Sequence, residues 1–194
     1  MLQVSLRGTK WCANVDLRHI SLIYYLFLHK GLFTRRFAKS GKYDRVIGCD
    51  YSESMLDEAR RRINADPTLS PSRRKTQLDL VRCDVGRIPM KPDSIDAFHA
   101  GAAMHCWPEL PRAASEIYRV LKPGGRYFAT TFLSSYFGNL QAADGGASGP
   151  STQAFQYFGS TEELRKLMEE GGFQPENISI EVLEPAAVVI RCEK

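Results

Sequence analysis

The sequence predicts an α/β fold with a mostly parallel sheet, helices on both of its faces and an antiparallel hairpin at the C-terminal end. Short apolar runs rich in β-branched residues alternate with helix-period segments between residues 45 and 132, as in repeated strand–helix units. Two further strand-like runs, 178–183 and 186–192, are joined by Glu184 and Pro185, which is typical of a hairpin. The 194 residues are enough for one domain with a sizeable core.

The amino-terminal part of the chain is the least regular. Residues 20–28 are strongly apolar, and periodicity does not decide between a buried strand and part of a helix. The run is far shorter than the roughly 20 residues that a membrane span needs. The charges before it and the lack of a small-residue cleavage pattern after it argue against a signal peptide. Apolar spacing after Gly31 predicts a helix that ends at Gly41.

The first clear strand–helix unit begins at residue 45. Val46 and Ile47 lie in an apolar run that predicts a buried strand ending at Asp50. Ser52 is expected to cap the next helix. A carboxylate at this place can accept hydrogen bonds from both hydroxyls of a ribose; alternatively, Asp50 only caps or solvates a turn. The apolar positions expected on one face of the helix are Met55, Leu56, Ala59 and Ile63.

Two more strands follow, and the first also ends in an acid. The run 78–85 contains Asp84 near its end, and the run 95–103 tapers into small residues. Small side chains at a strand end let a ligand approach the backbone, although tight packing of a helix on the sheet would also select them. The small residues are Ala100, Gly101, Ala102 and Ala103.

The second half of the chain continues the alternation. Residues 108–121 have helical apolar spacing, residues 122–125 (Lys-Pro-Gly-Gly) predict a stop and a turn, and residues 126–132 predict a strand. Residues 134–153 are rich in Gly, Ala and Ser, which favours a flexible loop or lid. Ser160 then begins a capping box for another helix.

Composition argues against several kinds of partner. The net charge of +4 is mild, and the basic clusters at 35–36 and 60–62 fall on predicted helices, so solvated helix surface explains them better than nucleic-acid binding. The five cysteines form no Cys-x-x-Cys pair, which indicates a reducing compartment and neither disulfides nor zinc. The adjacent His105 and Cys106 cannot build a metal site by themselves, so no metal is expected.

Four segments in order resemble a class I S-adenosylmethionine-dependent methyltransferase with a methyltransferase type 11 domain and a Rossmann-like sheet. The resemblance also extends to residues 31–37 and 101–108, which suggest plastid methyltransferase-like proteins of plants and algae, within the group that includes quinone-biosynthesis methyltransferases. The four segments are Gly48-Cys49-Asp50-Tyr51-Ser52 with Met55-Leu56, Cys83-Asp84-Val85 with Ile88-Pro89, residues 96–105, and residues 119–125 (Arg-Val-Leu-Lys-Pro-Gly-Gly).

The resemblance implies an adenosine site at the first two strand ends. Asp50 would hold the ribose hydroxyls, with Tyr51 and Met55 beside the adenosine. Asp84 would accept a hydrogen bond from the adenine amino group, and the backbone N–H of Val85 would donate to a ring nitrogen. No metal is needed for this binding.

The resemblance also implies where the reacting end lies. Gly31 would close the glycine turn of the family, and Ala100 and Gly101 would border the methionine end of the cofactor. His105 and Trp107 would lie near the substrate. Because a methyl sulfonium is already a strong electrophile, the enzyme needs mainly alignment of the acceptor, with or without a base.

The sequence departs from this family at its glycine turn. If Gly31 is the last glycine, His29 stands where the first belongs and Tyr25 where an acid belongs. We therefore expect weak or no binding of S-adenosylmethionine. Residues 1–30 are either a wrong gene model or spliced exon, or part of a degenerate methyltransferase with a binding or scaffold role. The expected division is an atypical segment, 1–30, and a methyltransferase-like domain, 31–194.

The expected activity is methyl transfer to a small-molecule acceptor, impaired by the missing glycine turn; a catalytically inactive binding module is the alternative. A nicotinamide-dependent oxidoreductase fits poorly, because the phosphate-binding glycine turn is missing. The aromatic residues around 132–158 suggest a hydrophobic or aromatic acceptor, or else ordinary packing. By family resemblance the location is the chloroplast, and it is cytoplasmic if the N-terminus is as written.

Overall fold

A computed structural model describes residues 31–134, 158–183 and 187–194 of the protein, together with the backbone of Leu22–Leu26. These residues form a seven-stranded sheet. Its strands are β1 (Leu22–Leu26), β2 (Arg45–Asp50), β3 (Gln77–Arg82), β4 (Ile95–Gly101), β5 (Leu121–Phe132), β6 (Ile178–Leu183) and β7 (Ala187–Glu193).

The strand order across the sheet is β3-β2-β1-β4-β5-β7-β6. The pairs among β1 to β5 are parallel, whereas β7 is antiparallel to both β5 and β6. The predicted α/β class, the mostly parallel sheet and the C-terminal antiparallel hairpin are therefore confirmed. The two residues proposed to join the hairpin, Glu184 and Pro185, lie outside the described residues.

The ambiguous apolar run at 20–28 supplies a strand in the middle of the sheet. Leu22–Leu26 is hydrogen-bonded in parallel to β2 on one side and to β4 on the other. Tyr24, for example, is in register with Ile47 and with Phe98. The N-terminal segment thus provides the pairing that joins the two halves of the sheet.

Four α-helices connect the described strands: α1 (Leu32–Ser40), α2 (Glu53–Asn64), α3 (Leu110–Val120) and α4 (Thr161–Glu170). Neighbouring residues of β2 show that the sheet is covered on both faces. Val46 belongs to a buried cluster with residues of α1 and α2, whereas Ile47 belongs to the larger core that includes α3 and α4. The predicted helix–sheet–helix layering is therefore present.

The larger core lies between the sheet and α3 with α4. It is filled by fully buried side chains such as Phe98, Ile117, Tyr127 and Met168. The two helices approach closely at Gly171, where a Cβ would lie 2.7 Å from the Cβ of Ala114. This contact requires glycine at the end of α4.

The prediction that Ser52 caps α2 is correct for its position but wrong for its hydrogen bond. Ser52 occupies the N-cap position, but its side chain makes no capping hydrogen bond; its Oγ instead lies 2.9 Å from the Oγ of Ser54. Met55 is also not on the buried face with Leu56 and Ala59, since 39% of it is exposed. The apolar stripe of α2 is therefore narrower than its sequence suggests.

The Lys-Pro-Gly-Gly segment lies within β5, where a turn ahead of the strand was expected. β5 begins directly after α3, and its pairing shifts between Ile95↔Leu121 and Ala97↔Arg126. Three residues of β5 therefore have no counterpart in β4 and bulge outward. The bulge is held at the C-terminus, because the Gly124 N–H donates to the Lys194 carbonyl and the Lys194 N–H donates to that of Gly125.

On the face of β4 that points away from the larger core, a histidine is buried among aromatic rings. The His99 ring stacks on Phe128 at a centroid distance of 5.1 Å, and Phe33 and Phe37 of α1 both lie at 5.3 Å. Burial lowers the pKa of His99 from 6.5 to about 3. His99 is therefore a neutral core side chain near pH 7.

The remaining predictions concern the end of β3, the start of α4 and the loop at 134–153. β3 ends at Arg82, so Asp84 follows the strand instead of ending it. Ser160 accepts a hydrogen bond from the Glu163 N–H, as the capping box predicts, while Glu163 accepts from the Gly159 N–H. The expected flexible loop, 134–153, lies outside the described residues apart from Ser134. Within the described part of the chain, no helix is long and apolar enough to cross a bilayer.

Candidate functional site

The two acids singled out from the sequence lie at the same edge of the sheet. Asp50 is the last residue of β2 and is in register with Arg82, the last residue of β3. Asp84 follows two residues later, and the intervening Cys83 donates its N–H to the Asp50 carbonyl at 3.1 Å. The carboxyl ends of parallel strands are where α/β folds place ligands. The sequence therefore located both carboxylates at the correct edge.

Each carboxylate also stabilises its own turn. Asp50 Oδ1 accepts the Ser52 N–H at 2.9 Å, and Asp84 Oδ1 accepts the Gly86 N–H at 2.8 Å. This is the turn role that was the alternative for Asp50, and it fixes the direction of both side chains. Asp50 is buried, with 6% of its surface exposed, whereas Asp84 is exposed. The two carboxylates thus provide one buried and one exposed hydrogen-bond acceptor.

Two large side chains that follow Asp50 in the chain are exposed to solvent. Tyr51 is 70% exposed and Met55 is 39% exposed. Arg82 holds the Tyr51 backbone, since its Nε donates to the Tyr51 carbonyl at 3.0 Å and its guanidinium lies 5.6 Å from the Tyr51 ring centroid. Exposed aromatic and thioether groups next to a buried carboxylate are suited to flank a flat ligand.

The end of β4 is narrow and strained. Ala100 is fully buried, and Gly101 is half-buried. Ala102 has a positive φ of 50°, which is costly for a residue with a Cβ. Its N–H donates to both the carbonyl and the Oγ1 of Thr130, each at 2.9 Å. The sequence identified the small residues but not the role of Thr130. The only indication of that role in the sequence is a hydroxyl side chain near the end of β5, the strand that neighbours β4.

The two residues expected on the substrate side have different surroundings. His105 lies in a short 3-10 turn, Met104–Cys106, with its ring 5.8 Å from that of Phe132. Burial lowers the pKa of His105. Trp107 is only 5% exposed and belongs to the hydrophobic core. The His105 ring therefore lies near the end of β5, whereas Trp107 packs into the hydrophobic core behind the turn.

The 3-10 turn also approaches the first acid. Burial raises the pKa of the Cys106 thiol, and the negative charge of Asp50 raises it further. In the sheet, β1 lies between β2 and β4, so the ends of β2 and β4 lie on either side of β1.

Gly31 lies where the chain enters α1 beside α2. Its φ is 73°, and a Cβ there would lie 3.1 Å from the Ala59 Cβ. Glycine is thus required both for the backbone conformation and for the close approach of α2. Residues 27–30, which precede it, are outside the described residues. Over the described ranges no group of three or more His, Cys, Asp or Glu side chains is placed to hold a metal ion.

Comparison with known proteins agrees with this geometry. The model of a family described as "Methyltransferase domain" matches residues 29–129. An uncharacterized chloroplastic methyltransferase of Arabidopsis thaliana is 52% identical over 103 residues, which are 53% of this chain and 28% of the relative. A demethylmenaquinone methyltransferase of Symbiobacterium thermophilum is 41% identical over 86 residues, or 43% of this chain and 31% of the relative. The chain thus spans less than a third of these two relatives.

Solved structures share the fold at low sequence identity. A SAM-dependent methyltransferase from Methanosarcina mazei superposes with a TM-score of 0.72 at 18% identity, covering 96% of this chain and 97% of that one. The [4+2]-cyclase SpnF superposes with a TM-score of 0.70 at 16% identity, covering 90% and 74%. These likenesses establish a Rossmann-like methyltransferase fold.

Proposed function

This chain belongs to the methyltransferase domain family, and on that premise we propose that it binds S-adenosylmethionine and transfers a methyl group to a small acceptor. The observation that carries the proposal is the placement of Asp50 and Asp84 at adjacent strand ends, with exposed Tyr51 and Met55 beside them. An adenosine needs hydroxyl acceptors, an amino acceptor and flat apolar contacts. These four side chains offer all three kinds of contact.

The described residues suit the adenosine half of the cofactor. We assign Asp50 to the ribose hydroxyls, because it is buried, oriented by Ser52 and able to accept two hydrogen bonds. Tyr51 and Met55 would flank the adenine. Asp84 would accept from its amino group, and the Val85 N–H would donate to a ring nitrogen.

The methionine half of the cofactor would lie over β1 and β4. We assign Gly31, Ala100 and Gly101 to this side, since they leave the backbone uncovered by large side chains. The family's glycine turn would come just before Gly31, where this sequence has His29. The binding that we propose is therefore weaker than that of a chain with an intact glycine turn.

S-adenosylmethionine supplies a methyl group on a positively charged sulfur, which makes it electrophilic without metal assistance. The protein's part is then to orient the acceptor and exclude water. We assign His105 to the acceptor side, where its lowered pKa keeps the imidazole neutral near pH 7, the form that can accept a hydrogen bond from the acceptor. Trp107 contributes by supporting the turn that carries His105.

The acceptor that we propose is a small hydrophobic or aromatic molecule. Phe132, at the end of β5, lies against His105 and gives this side an aromatic surface. Two kinds of relative, by their names, act on demethylmenaquinone or in ubiquinone and menaquinone biosynthesis, so a quinone-type ring is the acceptor class to test first. Chloroplastic relatives favour the plastid as the compartment, which a fluorescent fusion of the full-length protein would test.

Calorimetric titration with S-adenosylhomocysteine tests the cofactor site. Asp50→Asn and Asp84→Asn should each weaken binding about tenfold, because each removes a charged hydrogen-bond acceptor. Asp79→Asn is the matched control, since Asp79 lies on β3 but pairs with Arg45 near the other end of the strand. Equal effects from all three variants, or no binding by any form of the chain, would overturn the assignment.

A second candidate function is a binding module without catalysis, which the sequence around His29 favours. Replacing residues 1–30 with a segment that carries the family's Gly-x-Gly turn separates the two functions. Under the enzymatic proposal, the replacement should raise affinity for S-adenosylhomocysteine and give methyl transfer to a quinol acceptor. Unchanged affinity would favour the module. A thermal shift with NAD but not with S-adenosylhomocysteine would reject the enzymatic proposal.

A further inference from the structure

A polar stripe on α3 clamps the loop that follows Asp84. The stripe consists of Arg112, Glu116 and Arg119, which are spaced three and four residues apart and therefore share one side of the helix. The sequence analysis assigned these three charges no role. In the structure all three bond to backbone groups of residues 86–90.

The bonds from the stripe reach successive backbone groups along the loop. Arg112 Nε donates to the Gly86 carbonyl at 2.8 Å, and Glu116 Oε2 accepts the Ile88 N–H at 2.8 Å. Arg119 Nη2 donates to the Ile88 carbonyl at 3.0 Å, and its Nη1 donates to the Met90 carbonyl at 2.9 Å. Charged side chains thus satisfy four backbone groups of this loop: the carbonyls of Gly86, Ile88 and Met90 and the N–H of Ile88.

Two members of the stripe, Glu116 and Arg119, form an ion pair with each other. Arg119 Nε lies 2.6 Å from Glu116 Oε1, and both side chains are largely covered, with 34% and 20% exposed. Arg119, together with the Ile88 N–H, keeps the pKa of Glu116 below its usual value. Glu116 therefore stays ionised through the neutral range and remains an acceptor for the loop.

The other side of the loop is anchored in the core. Val85 and Ile88 are buried in the main hydrophobic cluster. The stem of Arg112 packs so closely on Gly86 that a Cβ there would lie 3.3 Å from the Arg112 Cδ. The buried side chains of Val85 and Ile88 and the bonds from the stripe thus restrain the backbone at Val85, while the Gly86 N–H restrains the Asp84 carboxylate.

We propose that Arg112, Glu116 and Arg119 are positioning residues that give the adenine end of the site its base selectivity. This inference rests on the proposed function, in which Asp84 and Val85 contact the adenine edge. The stripe touches neither cofactor nor acceptor. It holds the acceptor carboxylate of Asp84 and the donor N–H of Val85 in place. Adenine offers these groups an amino donor and a ring-nitrogen acceptor, whereas a base with a 6-oxo group offers an acceptor and a ring N–H donor in the reverse arrangement.

The test compares two probes on the full chain: S-adenosylhomocysteine and S-inosylhomocysteine, which differ at the base edge. We expect the unmodified chain to prefer the adenine compound. Glu116→Ala and Arg119→Gln should reduce the preference about tenfold, because loss of a charged bond lets the loop shift. Arg119→Lys keeps the charge but not the forked geometry, so it should give a smaller reduction.

Arg165 of α4 supplies the matched control. Its Nη1 donates to the carbonyls of Pro175 and Ile178, at 3.3 Å each, and so holds a loop away from the proposed site. Arg165→Gln should leave the ratio of the two affinities unchanged even where it lowers thermal stability. A purely structural role for the stripe would give the same result in Arg119→Gln as in Arg165→Gln.

The outcomes separate this inference from the proposed function. If the unmodified chain binds neither probe, the proposed function fails, and this inference fails with it. If the unmodified chain prefers adenine and the stripe variants keep the full preference, only the positioning role is overturned. Should Glu116→Ala not fold, Arg119→Lys and Glu116→Gln provide the same comparison, and an unchanged ratio in both would refute the inference.

Discussion

Replacing His99 by phenylalanine should make the protein less sensitive to acid. The His99 ring is enclosed by Phe33, Phe37 and Phe128, and burial lowers its pKa from 6.5 to about 3. Phenylalanine matches this apolar setting and cannot take up a proton. The substitution therefore removes a titration without removing the aromatic contacts.

The sign of the effect follows from proton uptake by the two states. Above pH 6.5 the histidine is neutral in both the folded and the unfolded chain, so its titration takes nothing from the free energy of unfolding. As the pH falls from 6.5 towards 3, the unfolded chain gains a proton that folded His99 does not accept, and stability is lost. At about 1.36 kcal/mol per pH unit, lowering the pH to about 4.5 should cost roughly 2.5 kcal/mol.

The assay is urea unfolding at a series of pH values between 7 and 4.5. The difference in unfolding free energy between His99→Phe and the unmodified chain should grow by roughly 2.5 kcal/mol across this range in favour of the variant. Tyr43→Phe is the control, because Tyr43 meets Phe37 edge-on in the same cluster but does not titrate in this range. Parallel curves for His99→Phe and the unmodified chain would refute the reasoning. If His99→Phe does not fold, His99→Leu provides the same comparison.

Two matched pairs of substitutions test the local backbone. Gly31→Ala should destabilise the protein by about 2 kcal/mol, because it adds a Cβ at a φ of 73° and 3.1 Å from the Ala59 Cβ; Gly41→Ala, with a φ of 64° but open space, should cost only about 1 kcal/mol in the same urea titration. Ser160→Ala should cost about 1 kcal/mol, because it removes the cap of α4, whereas Ser52→Ala should be nearly neutral by calorimetric melting. Equal losses within either pair would contradict the structural difference between its members.

The alternation of strands and helices was sufficient to predict the fold, because each buried element carries its own periodic signal. Asp50 and Asp84 could be located for the same reason, since both follow recognisable strands. The central strand at Leu22–Leu26 could not be distinguished from a helix, because its identity depends on pairing with β2 and β4. Local sequence does not contain that pairing.

The contacts of individual side chains were harder to predict. Glu116 and Arg119 have the spacing of an ordinary exposed ion pair, and their bonds to the 86–90 backbone depend on where that loop runs. Trp107 was assigned to the substrate side by resemblance, yet it is buried in the core. In each case the deciding neighbour is distant in sequence, so no local pattern could reveal it.

The position of β1 has a consequence for how the protein is made. Tyr24 is in register with Phe98, so the strand cannot complete its ladder until the ribosome has released β4. During that interval, of the two strands that pair with Leu22–Leu26 in the described sheet, β2 has been made and β4 has not. Nascent chains in this condition are prone to aggregate and are natural clients of chaperones. Added chaperone should therefore raise the yield of this protein on expression.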